Sequence, residues 1–166
     1  IGVYDPVLGV ANVPNFQLGY GQGAIGGSFN VDTASKTLTI QRANSTVDLL
    51  ALMSAWKPES AEDFSQFEFL DAPSIGMKGT LPFESTLESA NLEFDYKHRL
   101  GMQIQMGERL LPLKDIRGTV VLNKGSLESN DFAADLLGGI VEINGATRLT
   151  VDSKPFSGLI EVSKLP

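Results

Sequence analysis

The sequence predicts a mainly β fold, either an antiparallel, curved open sheet or a sandwich of about ten short strands, with one short helix near residues 46–57. Three observations favour this class. Hydrophobic and polar residues alternate with a period of two through most of the chain. The 166 residues include 17 glycines and 8 prolines, which is typical of frequent turns. Turn sequences recur roughly every 8 to 12 residues, as expected for short antiparallel strands.

The first elements are an arm and a hairpin. Residues 1–15 contain two glycines and two prolines without a clear period, and we interpret them as a lead-in arm. Regular alternation begins at Phe16. The next two apolar segments flank the polar turn at residues 32–35, which predicts a hairpin. We expect its buried face to contain Phe29, Val31, Leu38 and Ile40.

One segment has the signature of a helix. Residues 44–46 are Asn, Ser and Thr, which are the side chains typical of a helix N-cap. Apolar residues then recur at helical spacing from Val47 to Trp56, and Pro58 ends the pattern. We therefore predict a helix over residues 46–57.

The remainder of the chain returns to the period-two pattern of strands. Apolar residues alternate with polar ones from Phe67 to Val162. Glycine and asparagine mark the reversals between these strands. Turns are predicted at Gly107-Glu108, Asn123-Lys124-Gly125, Asn144-Gly145 and residues 152–155.

Composition and charge exclude several classes of function. The net charge is −7 and the only tight basic cluster is at residues 97–99, which disfavours binding to nucleic acid or to anionic headgroups. The absence of cysteine excludes disulfides and thiolate metal sites. The longest apolar run, residues 49–53, is far shorter than the ~20 residues that span a bilayer. Since the chain begins at Ile1, we interpret it as a piece of a longer or processed protein.

The sequence offers no catalytic centre, no metal site and no cofactor site. The single histidine, His98, lies between two basic residues, and we expect it to be solvated at the surface. The acidic clusters at residues 59–63, 84–88 and 128–131 are interpreted as solvated faces. No phosphate loop, calcium loop or nucleophile elbow is present. We therefore predict that the chain is not an enzyme.

The most distinctive pattern lies in residues 113–166. A glycine-containing strand is followed by an x-x-Gly-x-Leu strand and then by a Gly-Gly-x-x-x-x-x-Gly strand. The positions that carry it are Ile116, Gly118, Gly125, Leu127, Phe132, Ala134, Gly138, Gly139, Val141 and Gly145. This run is similar to the repeating unit of AsmA-like proteins of the bacterial envelope. The resemblance divides the chain into the arm (1–15), a divergent upstream β unit with a short helix (16–83) and an AsmA-like β unit (84–166).

The resemblance implies a function without catalytic residues. It implies a periplasmic module of a membrane-associated parent protein that takes part in lipid transport or outer-membrane assembly, with lipid acyl chains or other envelope proteins as partners. A sheet with one dry face suits an acyl chain, and methionines adapt to varied chains. The candidate apolar groove contains Leu92, Phe94, Tyr96, Met102, Ile104, Met106, Val120, Leu122, Phe132, Val141 and Ile143.

Two alternatives stay open at the level of sequence. The same apolar residues would form the enclosed core of a β-sandwich if the chain were an interaction or adhesion domain at the cell surface. Its loops, including the glycine-rich residues 19–27, would then bind protein or glycan. A hydrolase with a carboxylate pair is a third hypothesis, but only the acidic residues themselves support it.

Overall fold

The computed structural model describes residues 2–48, 67–83, 89–148 and 156–163. Twelve strands are present in these ranges. They are β1 (Val3–Asp5), β2 (Val10–Tyr20), β3 (Gly23–Asp32), β4 (Thr37–Ser45), β5 (Phe67–Phe69), β6 (Ser74–Pro82), β7 (Asn91–His98), β8 (Met102–Met106), β9 (Arg109–Asn123), β10 (Ser126–Leu136), β11 (Gly139–Arg148) and β12 (Phe156–Ser163).

All twelve strands belong to one antiparallel sheet. Its order is β1-β2-β3-β4-β6-β7-β9-β10-β11-β12, and β8 pairs with both β9 and β5 beside this path. Within the described residues, every pair of strands in extensive backbone contact is a pair of neighbours in the sheet, and all twelve strands form this one sheet. The predicted mainly β, antiparallel class is therefore confirmed.

Several strands are longer than the sequence predicts. β9 has 15 residues, and β10 joins two predicted short strands across a bulge between Ser129 and Phe132. A bulge adds one residue to one strand and restores the pairing beyond it. The alternation of side chains therefore breaks at the bulge although the strand continues. A break in alternation therefore does not mark the end of a strand, and the twelve strands are of unequal length.

Two tight turns set the hairpins of the C-terminal half. Lys124 (φ 48°) and Gly125 (φ 78°) join β9 to β10, as predicted, in the left-handed conformation that two-residue hairpin turns require. Leu137 (φ 51°) and Gly138 (φ 87°) join β10 to β11 in the same way. The turn predicted at Asn144-Gly145 is wrong, because β11 runs through both residues. The chain has already reversed seven residues earlier, and Asn144 and Gly145 pair with β12 in extended conformation.

The N-terminal segment differs from the irregular arm that the sequence predicts. β1 pairs with the first three residues of β2. The Asp5 carboxylate accepts hydrogen bonds from the N–H groups of Val7 and Leu8 at 2.9 and 3.2 Å, and this fixes the reversal between the strands. Pro14 lies in β2, where an edge strand tolerates a residue that lacks an N–H group.

The helix predicted over residues 46–57 lies mostly outside the described residues. Its first residues, 46–48, are described and are not helical. The N–H group of Thr46 instead donates a hydrogen bond to the carbonyl of Ala24 at 2.9 Å, which extends the pairing of β3 and β4. Val47 is buried, with 2% of its surface exposed.

The predicted hairpin of β3 and β4 is confirmed. Val31 lies opposite Leu38, and Phe29 lies opposite Ile40. The Asp32 carboxylate accepts hydrogen bonds from the N–H groups of Ala34 and Ser35 in the turn. The bonds to Ser35 contribute most to holding the pKa of Asp32 below its usual value.

The centre of the sheet contains a bend. β5 pairs with β8 in the same register in which β6 pairs with β7, so β5 and β6 together form one interrupted strand. In the interruption between them, the N–H group of Leu70 donates a hydrogen bond to the Gly101 carbonyl at 3.0 Å. β9 loses this continuity, because Met102 lies opposite Leu113 and not opposite Pro112, as the register of β7 would require. Asp115, with φ 45°, takes up the extra residue.

Candidate functional site

The candidate site is one face of the sheet. Residues directly opposite each other in an antiparallel pair have their side chains on the same face. Leu92 lies opposite Leu122 and Phe94 opposite Val120. On the next strands, Phe132 lies opposite Ile143 and Ala134 opposite Val141. These pairings place eight of the eleven candidates on one face of β7, β9, β10 and β11, namely Leu92, Phe94, Tyr96, Val120, Leu122, Phe132, Val141 and Ile143.

The three candidates on β8 share this face despite the bend. Met102 lies opposite Leu113 in β9, and Leu113 lies opposite Leu136 in β10. Leu136 alternates with Phe132 along β10 and is therefore on the apolar face. By their register, Met102, Ile104 and Met106 thus belong to the face as well. The bulge at Asp115 adds one residue to β9, so that Leu113 lies on the apolar face. Without this extra residue Leu113 would lie on the opposite face.

The apolar face extends beyond the part that the sequence indicates. Met77 of β6 lies opposite Phe94, and Ile75 lies opposite Tyr96. From β6 the pairing continues through β4 and β3 to β2, where Val13 lies opposite Phe29. Period-two alternation in residues 29–31, 38–40 and 75–81 could have revealed this extension. The predicted groove is confined to the half of the chain that carries the family resemblance.

The opposite face of the sheet is polar. Lys78 and Glu93 lie opposite each other, with 2.8 Å between Nζ and Oε1, and the hydrogen bond and charge of Glu93 raise the pKa of Lys78. The Thr119 N–H group donates to Asp131 at 2.8 Å, and its hydroxyl group donates to Asp95 at 3.3 Å. No cluster of three or more metal-ligating side chains occurs among the described residues. The two faces therefore differ sharply in chemistry.

The apolar face is only partly withdrawn from water. Leu122 is the one candidate with a described side chain that is fully buried, at 4% exposed. Phe94, Ile104 and Phe132 belong to the larger group of partly exposed candidates. Core residues of a closed sandwich are usually covered from both sides. Most candidates here, in contrast, keep part of their surface exposed to water.

A glycine on this face leaves space for a contact between two aromatic rings. Gly118 lies opposite Tyr96 in β7 and beside Phe132 in β10. The Tyr96 and Phe132 rings meet with their centroids 5.7 Å apart and their planes tilted by 33°. A Cβ atom on Gly118 would lie 2.5 Å from Cδ2 and 2.6 Å from Cα of Phe132. Only glycine lets the two rings cover the backbone at this position.

His98 is buried at the bend, so the prediction that it is solvated is wrong. It is 1% exposed and its ring stacks on Phe69, with centroids 5.8 Å apart. Its Nδ1 lies 3.2 Å from the Tyr96 hydroxyl, and its Nε2 lies 2.5 Å from Asp71 Oδ1, without the alignment that a hydrogen bond requires. His98 follows Leu92, Phe94 and Tyr96 in the β7 alternation and therefore points to the apolar face.

Burial and the nearby Asp71 carboxylate determine the electrostatics of Tyr96. Burial, and secondarily the negative charge of Asp71, raise the pKa of Tyr96 to about 12. The phenol is therefore protonated at neutral pH, and its oxygen lies 3.2 Å from His98 Nδ1. The described contacts of the imidazole are the Phe69 and Tyr96 rings, the Tyr96 hydroxyl group and the Asp71 carboxylate. These contacts connect His98 in β7 to Phe69 in β5 and to Asp71 across the bend.

Comparisons with known protein families, with curated proteins and with solved structures found no match to this chain. The resemblance to AsmA-like proteins therefore stays a prediction that depends on the glycine and leucine positions given above. Within the described residues, no helix is both long enough and apolar enough to cross a membrane.

Proposed function

We propose that this chain is a non-enzymatic module of a bacterial envelope protein that holds lipid acyl chains on its apolar face during lipid transport or outer-membrane assembly. The observation that carries this proposal is the apolar face itself. It runs through eight strands from β2 to β11, its described side chains are mostly part-exposed, and the opposite face is polar. A periplasmic location follows from the family resemblance.

The dimensions of the face suit an acyl chain. Eight strands at a spacing of about 4.8 Å make the face roughly 34 Å wide across the strands. One leaflet of a bilayer core, which an acyl chain spans, is about 15 Å thick. A single acyl chain therefore fits within the width of the face, and its headgroup can remain in water at the border of the sheet.

The expected binding is passive and reversible. Complete burial of a methylene group contributes about 0.8 kcal/mol, and a chain that lies on one face gains less because its other side remains uncovered. Affinity then accumulates along the chain and requires no single strong contact. Met77 and Met102 add flexible, polarisable surface that can adapt to chains of different shape. The mechanism involves no covalent step and no cofactor.

Native mass spectrometry of the purified chain tests the proposal. We expect co-purified lipid on the wild type and its loss in Phe94→Asp and Ile104→Asp, which place a charge on the apolar face. Asn91→Asp is the matched control, since it adds the same charge at an exposed position of β7. It should retain the lipid.

Circular dichroism of the same variants separates lipid loss from unfolding. Retained β signal with lost lipid supports the proposal. If the Phe94 and Ile104 variants merely unfold, and the wild type carries no lipid, these residues are core. The adhesion-domain alternative would then be favoured.

A further inference from the structure

The edge of the sheet formed by β1 and β2 carries a concentration of exposed apolar side chains. Among the described residues, eleven large hydrophobic side chains are exposed, and six of them lie within the first 20 residues. Leu18 is 63% exposed and Tyr20 44% exposed. The other four are Val3, Tyr4, Val7 and Leu8. Apolar surface gathered at one edge indicates an interaction site.

Part of β2 has none of the described strands on its outer side. β1 pairs only with residues 10–12, and none of the described strands pairs with the outer edge of residues 13–20. Pro14 and a bulge between Val13 and Phe16 interrupt the first part of this edge. Residues 16–20, Phe-Gln-Leu-Gly-Tyr, carry neither a charge nor a proline. Edge strands usually have such features to prevent pairing with another chain.

We propose that residues 16–20 pair antiparallel with the same segment of a second copy of this chain, about a two-fold axis at Leu18. In this register Leu18 faces the partner's Leu18, and Phe16 faces the partner's Tyr20. The pairing supplies the missing backbone hydrogen bonds of both edges, as in other cases of strand addition. It goes beyond the proposed function and does not depend on lipid binding.

The segment is complementary to itself in three respects. It has no charge, so a two-fold axis brings no like charges together. Phe16, Leu18 and Tyr20 alternate on one side of β2, and the register unites the apolar faces of both copies. On the other side, Gln17 faces the partner's Gly19, and since no atom lies within 4 Å of the Cβ position of Gly19, the Gln17 side chain meets no obstacle there.

The lengths of the neighbouring elements also fit. In this register the partner's turn at residues 21–22 falls opposite residues 14–15, where Pro14 cannot donate a hydrogen bond. β1 pairs only as far as Asn12, so the partner chain turns away before reaching it. The paired ladder is therefore limited to five residues on each chain. An interface this short predicts weak, concentration-dependent dimers.

Sedimentation velocity on the wild type, Leu18→Lys, Leu18→Glu and an equimolar mixture of both variants tests the proposal. We expect the wild type to dimerise as its concentration rises toward about 1 mM, where an association of about 4 kcal/mol is half complete. Each variant alone should bring two like charges together at the axis and raise the dissociation constant at least about tenfold. The mixture should restore the dimer, because Lys then faces Glu.

The control is Leu110→Lys, which changes a leucine that is 54% exposed and distant in the sheet from β2. It should dimerise like the wild type. A monomeric wild type, undiminished association of the single variants or a monomeric mixture would each overturn the proposal. Growth beyond the dimer would also overturn it, because head-to-tail contacts between different edges do not close.

Discussion

Gly118 offers the most direct test of how the apolar face is built. Replacing Gly118 with alanine adds one methyl group beneath the Phe132 ring. That atom would lie 2.6 Å from the Phe132 Cα atom, whereas non-bonded carbons normally lie 3.5–4.0 Å apart. Because the nearest obstacle includes backbone, a side-chain rotation alone cannot relieve the clash. β9 and β10 must separate locally, and the Tyr96–Phe132 contact must loosen.

The expected cost follows from the size of this overlap. Forcing an extra methyl group into a filled site typically costs about 1–3 kcal/mol. For a chain of 166 residues, each kcal/mol corresponds to about 2–4 °C in Tm. Gly118→Ala should therefore lower Tm by roughly 2–12 °C, measured by thermal unfolding with circular dichroism detection.

Gly19→Ala is the matched control in another strand. No atom lies within 4 Å of the Cβ position at Gly19, and its φ is not left-handed. Alanine there should leave the free energy of unfolding unchanged or raise it by about 0.4–1 kcal/mol. Both variants are compared at low protein concentration, so that association at β2 does not contribute. Equal stability of Gly118→Ala and Gly19→Ala would refute the claim that Gly118 seats the two rings.

Three further predictions concern the β10–β11 turn and Tyr96. Leu137→Asn should raise the free energy of unfolding by about 1 kcal/mol, because Asn tolerates the left-handed φ of 51° better than Leu. A Tm at or below that of the wild type would contradict this prediction. The folded protein holds the Tyr96 proton up to about pH 12, whereas an unfolded tyrosine loses its proton near pH 10. Stability should therefore fall as pH rises from about 10 to 12, and less so in Tyr96→Phe. Asp71→Asn should lower the pKa of Tyr96, measured by ultraviolet absorbance titration, because a negative charge is removed; an unchanged titration would exclude a role for Asp71.

Local sequence patterns predicted the strands and the apolar face well, because alternation is a property of consecutive residues. Phe29, Val31, Leu38 and Ile40 pair as expected. The pattern failed where pairing between distant segments decides the outcome. Its two basic neighbours predict that His98 lies at the polar surface. At the bend, however, Phe69 stacks on its ring and Asp71 lies beside its Nε2 atom.

Turn chemistry was a second source of error. Asn144-Gly145 is the stronger local turn sequence, yet the chain reverses at Leu137-Gly138. The sheet register then requires ten extended residues for β11, and this requirement outweighs the local preference. The groove candidates themselves were chosen by alternation and lie together on one face. Whether that face binds lipid depends on surroundings that alternation does not describe.

The linear arrangement of the strands has a consequence for how the molecule responds to denaturant. Since extensive contacts in the described part join only adjacent strands, stability is close to a sum of nearest-neighbour terms, as in repeat proteins. Opening of the terminal strands then need not disturb β6 and β7 at the middle of the order. Amide hydrogen exchange should be slowest in these two strands and become progressively faster toward β1 and β12. Unfolding would therefore proceed from both ends of the strand order toward its middle.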